Sequence, residues 1–419
     1  MTIIITILKI AFILGFLVLI HEGGHFLTAK LCKVKVHEFA IGFEPTIWQK
    51  QGKETKYQLR LIPLGGFVNM EGEEERSDKE GSFSKASIPK RIAIVAAGGL
   101  VNIVFALIVY FTLISSIGNN VSLIIDKTIE GTNAQIVGLE PGDKILKIDN
   151  KTIHYKSDLD KVLKKCNGNE LNLLIERNGR KQELKLKPAE EKYNYTGIAI
   201  SAQGELNTKI AAIYPKSPSE EQGLLVNDEI IKINGVDVKD NPKFLLEKIN
   251  ENIGENIIFT VKRNEENIDV EIKPNVNIEY FLGVYLKKAE KNLLNNMYYA
   301  FGETGEFASS IIDNIKMLFT GNVSINQMMG PIGIGGVVAE TNGFADFIYI
   351  LAVISISLGF TNLLPFPPLD GGKIVILLIE AIRRKPLKEK TEINIQMIGF
   401  ALLIGLSIYV TYNDILRIF

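Results

Sequence analysis

Apolar residues gather in four blocks, and the chain between them is polar or alternating. Residues 3–20 form a run broken only by Thr6, Lys9 and Gly15. A second run covers 92–117, with small residues from Ala96 to Gly99; a third covers 347–364 and a fourth 398–412. A helix that crosses a bilayer needs roughly 20 mostly apolar residues, so the pattern predicts about four spanning helices. Buried helices of a large soluble protein are the alternative, disfavoured because the four blocks stand beside a long hydrophilic middle. Residues 39–68 alternate polar and apolar, punctuated by glycine and proline, and predict a β-hairpin, either an ordinary structural one or one whose unpaired edges pair with an extended substrate. Residues 291–318 repeat aromatic and aliphatic positions at helical spacing, Phe319 included. They predict an amphipathic helix that lies on the outer membrane surface or packs on the middle region.

The middle contains a repeat. Gly138-Leu139, a polar turn ending at Asp143 and a strand Ile145-x-x-Ile148 return 85 residues later as Gly223-Leu224, Asp228 and Ile230-x-x-Ile233. Asn234-Gly235 is a strong hairpin turn. After each copy comes a helical stretch (157–165, 241–249), then strand-rich sequence (171–186, 256–272). This order resembles tandem PDZ domains. Such domains bind a chain end or extended strand at a sheet edge; a structural spacer or size filter is the other reading.

Charge sets orientation. The 47 Lys+Arg against 48 Asp+Glu leave a net charge of −1, which argues against a nucleic-acid stripe. Basic residues are segregated, with twelve Lys and Arg in 21–91 and five in 383–390. The positive-inside rule puts both segments in the cytoplasm; both termini and 119–346 then lie outside. A cleaved signal peptide fits poorly, because no basic residue precedes the first run and no A-x-A site follows it. Cys32 and Cys166 fall on opposite sides and cannot pair.

The chemistry sits at the end of the first run, in His21-Glu22-x-x-His25. Helical spacing puts both imidazoles on one face, within reach of one zinc ion. Glu22 beside them can take a proton from a water that the metal activates. A catalytic zinc needs a third protein ligand. Glu38, Glu44 and His37 are possible, and His154 lies across the membrane. Asp370 is the better candidate, within Asn362-Leu363-Leu364-Pro365-Phe366-Pro367-Pro368-Leu369-Asp370-Gly371-Gly372. Runs one and three both travel inward, so Asp370 and the histidines end at the same depth. A proline–glycine turn with a helix-capping aspartate is the bland alternative.

Together, H-E-x-x-H, N-x-x-P-x-P-x-L-D-G and the repeats between them resemble the site-2 protease family of intramembrane zinc metalloproteases. The four-helix, two-PDZ layout is similar to its bacterial regulator-of-sigma-E branch. The resemblance implies His21, His25 and Asp370 as zinc ligands, Glu22 as acid and base, and Asn362 as a substrate-positioning residue. Asn102, in the small-residue motif Ala97-Gly98-Gly99-Leu100-Val101-Asn102, matches the family's asparagine and is implied in substrate positioning too. It also implies PDZ domains outside a bacterial inner membrane, a site near the cytoplasmic face, and single-pass transmembrane substrates such as anti-sigma factors or signal-peptide remnants. Gly23-Gly24 weakens the motif's helix by roughly 1 kcal/mol per glycine, and packing is expected to hold it. The expected fold is a multi-domain membrane protein with an α-helical core of about four spans, and the resemblance implies that the hairpin is a membrane-associated β element. Helices one and two with the hairpin fill 1–118; PDZ domains fill 119–192 and 193–278. An amphipathic linker fills 279–344, and helices three and four fill 345–419. The rival classes are a membrane-anchored PDZ scaffold and a metal carrier; a scaffold has no use for the metal motif. The oligomeric state is open.

Overall fold

The computed structural model describes residues 2–73, 75–118, 120–200, 208–214, 216–320, 330–339, 341 and 343–418. Residues 321–329, part of the expected linker, and the side chain of Phe319 fall outside the described set. The chain divides into two compact units, one of residues 1–118 with 290–419 and one of 119–289.

In the first unit, α1 (Thr2–Leu31) carries the first run straight through the H-E-x-x-H motif. Strands β1 (Val36–Gln51) and β2 (Lys56–Met70) follow, and then α2 (Ile88–Ile117). The hairpin is more elaborate than simple alternation implies. Residues 36–41 of β1 pair with 56–59 of β2 on one side and with 66–70 on the other. Bulges fold each long strand into two shorter ones. The unit resumes with α7 (Leu293–Phe319), α8 (Pro331–Ala339), α9 (Phe344–Asn362), α10 (Asp370–Arg383) and α11 (Glu389–Ile418), named after the second unit's α3–α6. Among the described residues four helices, α1, α2, α9 and α11, are long and apolar enough to cross a membrane.

The expected amphipathic helix is α7, and it packs on α2 and α9. Ala300 shares a buried cluster with Ala106, Val109, Tyr110, Ala352 and Ile356, its three alanines allowing the close approach. Helix α10 was hidden in the sequence by the Pro-Gly motif in front of it. Two charges on the long apolar helices also find their use. Asp414 of α11 accepts hydrogen bonds from the backbone N–H groups of Gly330 (3.1 Å) and Gly333 (2.8 Å), at the positive end of α8. Lys9 of α1 donates to the carbonyl and hydroxyl oxygens of Thr341, both at 2.9 Å, just beyond that helix's negative end. Opposite charges at opposite ends complement the helix dipole.

The second unit opens with β3 (Val121–Thr128), α3 (Asn133–Ile136), β4 (Lys144–Ile148), β5 (Lys151–Thr152) and α4 (Lys156–Lys165). Strands β6 (Leu171–Arg177), β7 (Arg180–Leu186), β8 (Ala189–Tyr195) and β9 (Ile198–Ile200) follow. The order then recurs as β10 (Ile210–Ile213), α5 (Pro218–Glu221), β11 (Glu229–Ile233), β12 (Val236–Asp237), α6 (Pro242–Ile249), β13 (Ile257–Arg263) and β14 (Glu266–Ile272). It ends with β15 (Asn275–Phe281) and β16 (Val284–Lys288). Each copy has its own core: one around Ile145, Ile148, Leu173 and Ile175, the other around Ile230, Ile233, Phe259 and Val261. The first core is completed from far down the chain. Leu282 is buried in it, and β16 pairs antiparallel with β3. The stretch expected as a helical linker from 279 therefore begins with strand.

The repeated aspartates have a shared purpose. Arg177 grips Asp143 through Nε and Nη2, both at 2.7 Å, and donates to the Gly138 carbonyl at 2.6 Å. Arg263 does the same with Asp228 (2.8 and 2.7 Å) and Gly223 (2.8 Å). Burial raises the Asp143 carboxyl, but Arg177 and the Glu140 N–H outweigh it and hold the group below its ordinary value. A depressed carboxylate stabilises the fold above the ordinary carboxylate range and loses that contribution as pH falls below it. Arg177→Leu leaves a fully buried carboxylate without its cation. It is expected to cost about 3–5 kcal/mol, read as a lower denaturant midpoint at pH 7, with the gap to the unaltered protein closing at acid pH.

Candidate metal centre

The centre is assembled from α1, α2, α9 and α10. His21 and His25 stand one turn apart on α1, with ring centroids 4.8 Å apart and planes nearly perpendicular. The Nδ1–H of His25 donates to the Ile94 carbonyl of α2 at 2.8 Å. That bond fixes the tautomer and leaves Nε2 with a free lone pair. The two Nε2 atoms are 3.2 Å apart. Asp370, at the start of α10, brings Oδ2 to 3.4 Å from each. This oxygen is buried and has no hydrogen-bond partner.

Two imidazole nitrogens and a carboxylate oxygen this close need a proton or a cation between them, and a metal ion satisfies all three at once. A tetrahedral zinc ion at about 2.0–2.1 Å from each ligand sets those ligands roughly 3.3–3.4 Å apart, which the observed spacings match. The donor set, two imidazoles and a carboxylate, is one that zinc accepts with a position left open. Among the described residues this is the one group of three such side chains close enough to hold a metal.

Glycines make the convergence possible. A Cβ on Gly98 of α2 would sit 2.8 Å from Cε1 of His21 and 2.7 Å from Cε1 of His25. One on Gly24 would meet the Ala97 carbonyl at 2.7 Å. Helices α1 and α2 thus touch backbone to backbone beside the imidazoles, and the packing holds a motif that helix propensity alone weakens. Gly23 faces open space, so only one of the motif's two glycines is required by contact.

Glu22 lines a cavity of about 650 Å³ together with both histidines and Asp370. Residues Gly66, Phe67, Val68 and Met70 of β2 form another wall. The approach is close: a Cβ on Gly66 would lie 2.9 Å from Cγ of Glu22. Among the described residues the stretch 66–70 pairs with β1 on one side only. The first turns of α11 contribute Glu389, Glu392 and Gln396, and α10 contributes Lys373.

Asn362, the last residue of α9, holds its amide nitrogen 3.5 Å from both ring nitrogens of His21, beside the centre and too long for a strong hydrogen bond. Asn102 is fully buried, its amide atoms have no hydrogen-bond partner, and it does not line the cavity. The alternative third ligands are engaged elsewhere. His37 contacts Glu71 at 2.8 Å. Glu38 and Glu44 contact Arg60 at 2.9 and 3.4 Å. His154 lies in the repeat-bearing unit. The sequence reading offered residues 39–68 as an edge for substrate but did not single out 66–70 as the part that lines the cavity, since Gly65-Gly66 reads only as punctuation. It also missed Lys373, whose signal was its place one turn after Asp370.

Apolar spanning helices that bring a histidine pair, a neighbouring glutamate and a remote aspartate to one cavity define a multi-pass membrane metallopeptidase. Comparison with known proteins agrees. The profile of Peptidase family M50 matches residues 9–406. The regulator of sigma E protease of Haemophilus influenzae is 30% identical, over 96% of each chain. The zinc metalloprotease RasP of Oceanobacillus iheyensis is 30% identical over 98% of this chain and 99% of its own. A crystal structure of the HtrA3 PDZ domain bound to a phage-derived ligand aligns at 20% identity over 22% of this chain and 93% of its own, with a TM-score of 0.18. The chain belongs to peptidase family M50, the site-2 proteases, and is a zinc metalloprotease.

Proposed function

We propose that this protein hydrolyses a peptide bond in or beside the transmembrane segment of a single-pass membrane protein, with His21, His25 and Asp370 holding zinc and Glu22 moving the proton. The observation that carries the reading is the convergence of three ligand atoms at 3.2–3.4 Å, two from α1 and one from the start of α10. Zinc held there supplies a Lewis acid that polarises the scissile carbonyl and makes water nucleophilic at neutral pH. Glu22 takes the proton of the attacking water and returns it to the leaving amine. Asn362 stands where it can orient the substrate backbone beside His21. Asn102, away from the cavity, keeps only the support of its family resemblance for a role in positioning.

A transmembrane helix hides its amides in its own hydrogen bonds, so the substrate must unwind to be cut. The open side of β2 at 66–70 offers a template: a segment added there lies along the cavity wall, beside Glu22. Basic residues in 21–91 and 383–390 favour a cytoplasmic-side centre, in the inner membrane of a bacterium. The repeats of the second unit support two PDZ domains outside that membrane. Their role is control of access, admitting substrates whose outer domain is already trimmed; anti-sigma factors and signal-peptide remnants are such substrates. The relative named a regulator of sigma E protease supports this class.

The test is reconstitution in liposomes with a tagged single-pass substrate. Cleavage is expected, stopped by a zinc chelator and restored by added zinc. An intact substrate with zinc present, or cleavage indifferent to the chelator, overturns the reading.

A further inference from the structure

The cavity contains a contact that joins its two working walls. Beyond Met70, β2 turns through Glu71 and Gly72 to Glu73, whose Oε1 accepts a hydrogen bond from Lys373 Nζ at 2.7 Å. Lys373 lies one turn after Asp370 on α10, so Glu73 is tied to the helix that presents the carboxylate. Both side chains are about four-fifths buried, at 19% and 21% exposure, and both line the cavity. The lysine is held from a second side, its ammonium 5.1 Å from the Phe83 ring centre.

The edge strand is thus pinned at two points. Gly66 is pressed against Glu22 at one end, and Glu73 is clasped to Lys373 at the other. Between the pins run residues 66–70, whose outer edge is unpaired. We propose that the Glu73–Lys373 ion pair is a positioning clasp: it fixes the edge strand relative to Asp370 and so selects which substrate bond is presented for cutting. The inference rests on the reading that substrate adds to this edge.

Strand pairing gives the clasp a distinctive signature. A substrate strand that slips by one residue turns every side chain to the opposite face, whereas a slip of two residues preserves the faces. Loosening the edge therefore favours cleavage two residues away from the normal bond. A general loss of packing produces no such pattern.

The experiment compares the full chain with Lys373→Met, Glu73→Gln and the conservative Lys373→Arg, in liposomes with one single-pass substrate. Products are mapped by mass spectrometry, and zinc content is measured in each. The expected result is that Lys373→Met and Glu73→Gln keep zinc and lose about tenfold in kcat/KM, mainly through KM, because a partly buried charge loses its partner. Their products include bonds displaced by two residues. Lys373→Arg keeps the single normal product. One product from all variants, with KM unchanged, overturns the clasp. An unaltered protein that cuts nothing overturns the proteolytic reading instead. If Lys373→Met loses zinc, Glu73→Gln, which leaves α10 untouched, decides: zinc retained with displaced products upholds the clasp, and normal products overturn it.

Discussion

Glu22→Gln is expected to leave a folded, zinc-loaded protein whose cleavage of a transmembrane substrate falls by about a thousandfold or more. Glutamine has the same shape, so the tight contact between the residue 22 side chain and Gly66 survives. What disappears is a carboxylate able to accept a proton, and general acid–base catalysis by one positioned group contributes roughly 10²–10⁴ in rate. In the proposed mechanism the same side chain serves attack and departure, which puts the loss toward the upper part of that range. Metal analysis of the purified variant, together with a time course of substrate cleavage, provides the check. Turnover near the unaltered rate removes Glu22 from the chemistry. Loss of zinc along with activity makes it part of the metal's support.

The second large effect is at Asp370. Asp370→Asn replaces the carboxylate proposed as third ligand with an amide, at a point where two imidazole nitrogens face it from 3.4 Å. An amide oxygen is neutral, and a flipped amide turns its N–H groups toward the nitrogens and satisfies them without metal. Zinc affinity is expected to fall on the order of a hundredfold or more, since disturbing even the residues that merely orient zinc ligands costs 10–100-fold. Titration against a competing chelator measures the change. Unaltered affinity excludes Asp370 from the ligand set.

Much of this site was legible in the sequence because its geometry is local. His21 and His25 are four residues apart on a helix, and nothing else is needed to face them together. Asp370 was within reach by a different argument: two spans running the same way end at one depth. The closeness of the approach was not legible. Gly98 is recognisable as small, but only packing shows that two imidazole rings lie where its side chain would be. Asp370-Gly371-Gly372 reads as a turn, so the helix that begins there was overlooked, although the following Lys373–Arg383 segment is good helix-forming sequence. The hairpin announced itself by alternation. Its double pairing did not, because bulges rather than residue type decide which strand meets which. The join of β16 to β3 left a faint trace: Thr196-Gly197-Ile198 is echoed by Leu282-Gly283-Val284, a second register of the internal repeat beyond the one first noticed.

That join has a consequence for how the protein is made. Strand β3 is translated some 150 residues before β16. At bacterial elongation rates of about 5–20 residues per second, the wait is on the order of ten seconds or more. Throughout it the nascent first module has an uncovered strand edge and a gap where Leu282 will sit, and the whole of the next module emerges from the ribosome in the meantime. The two modules therefore mature in reverse order of synthesis.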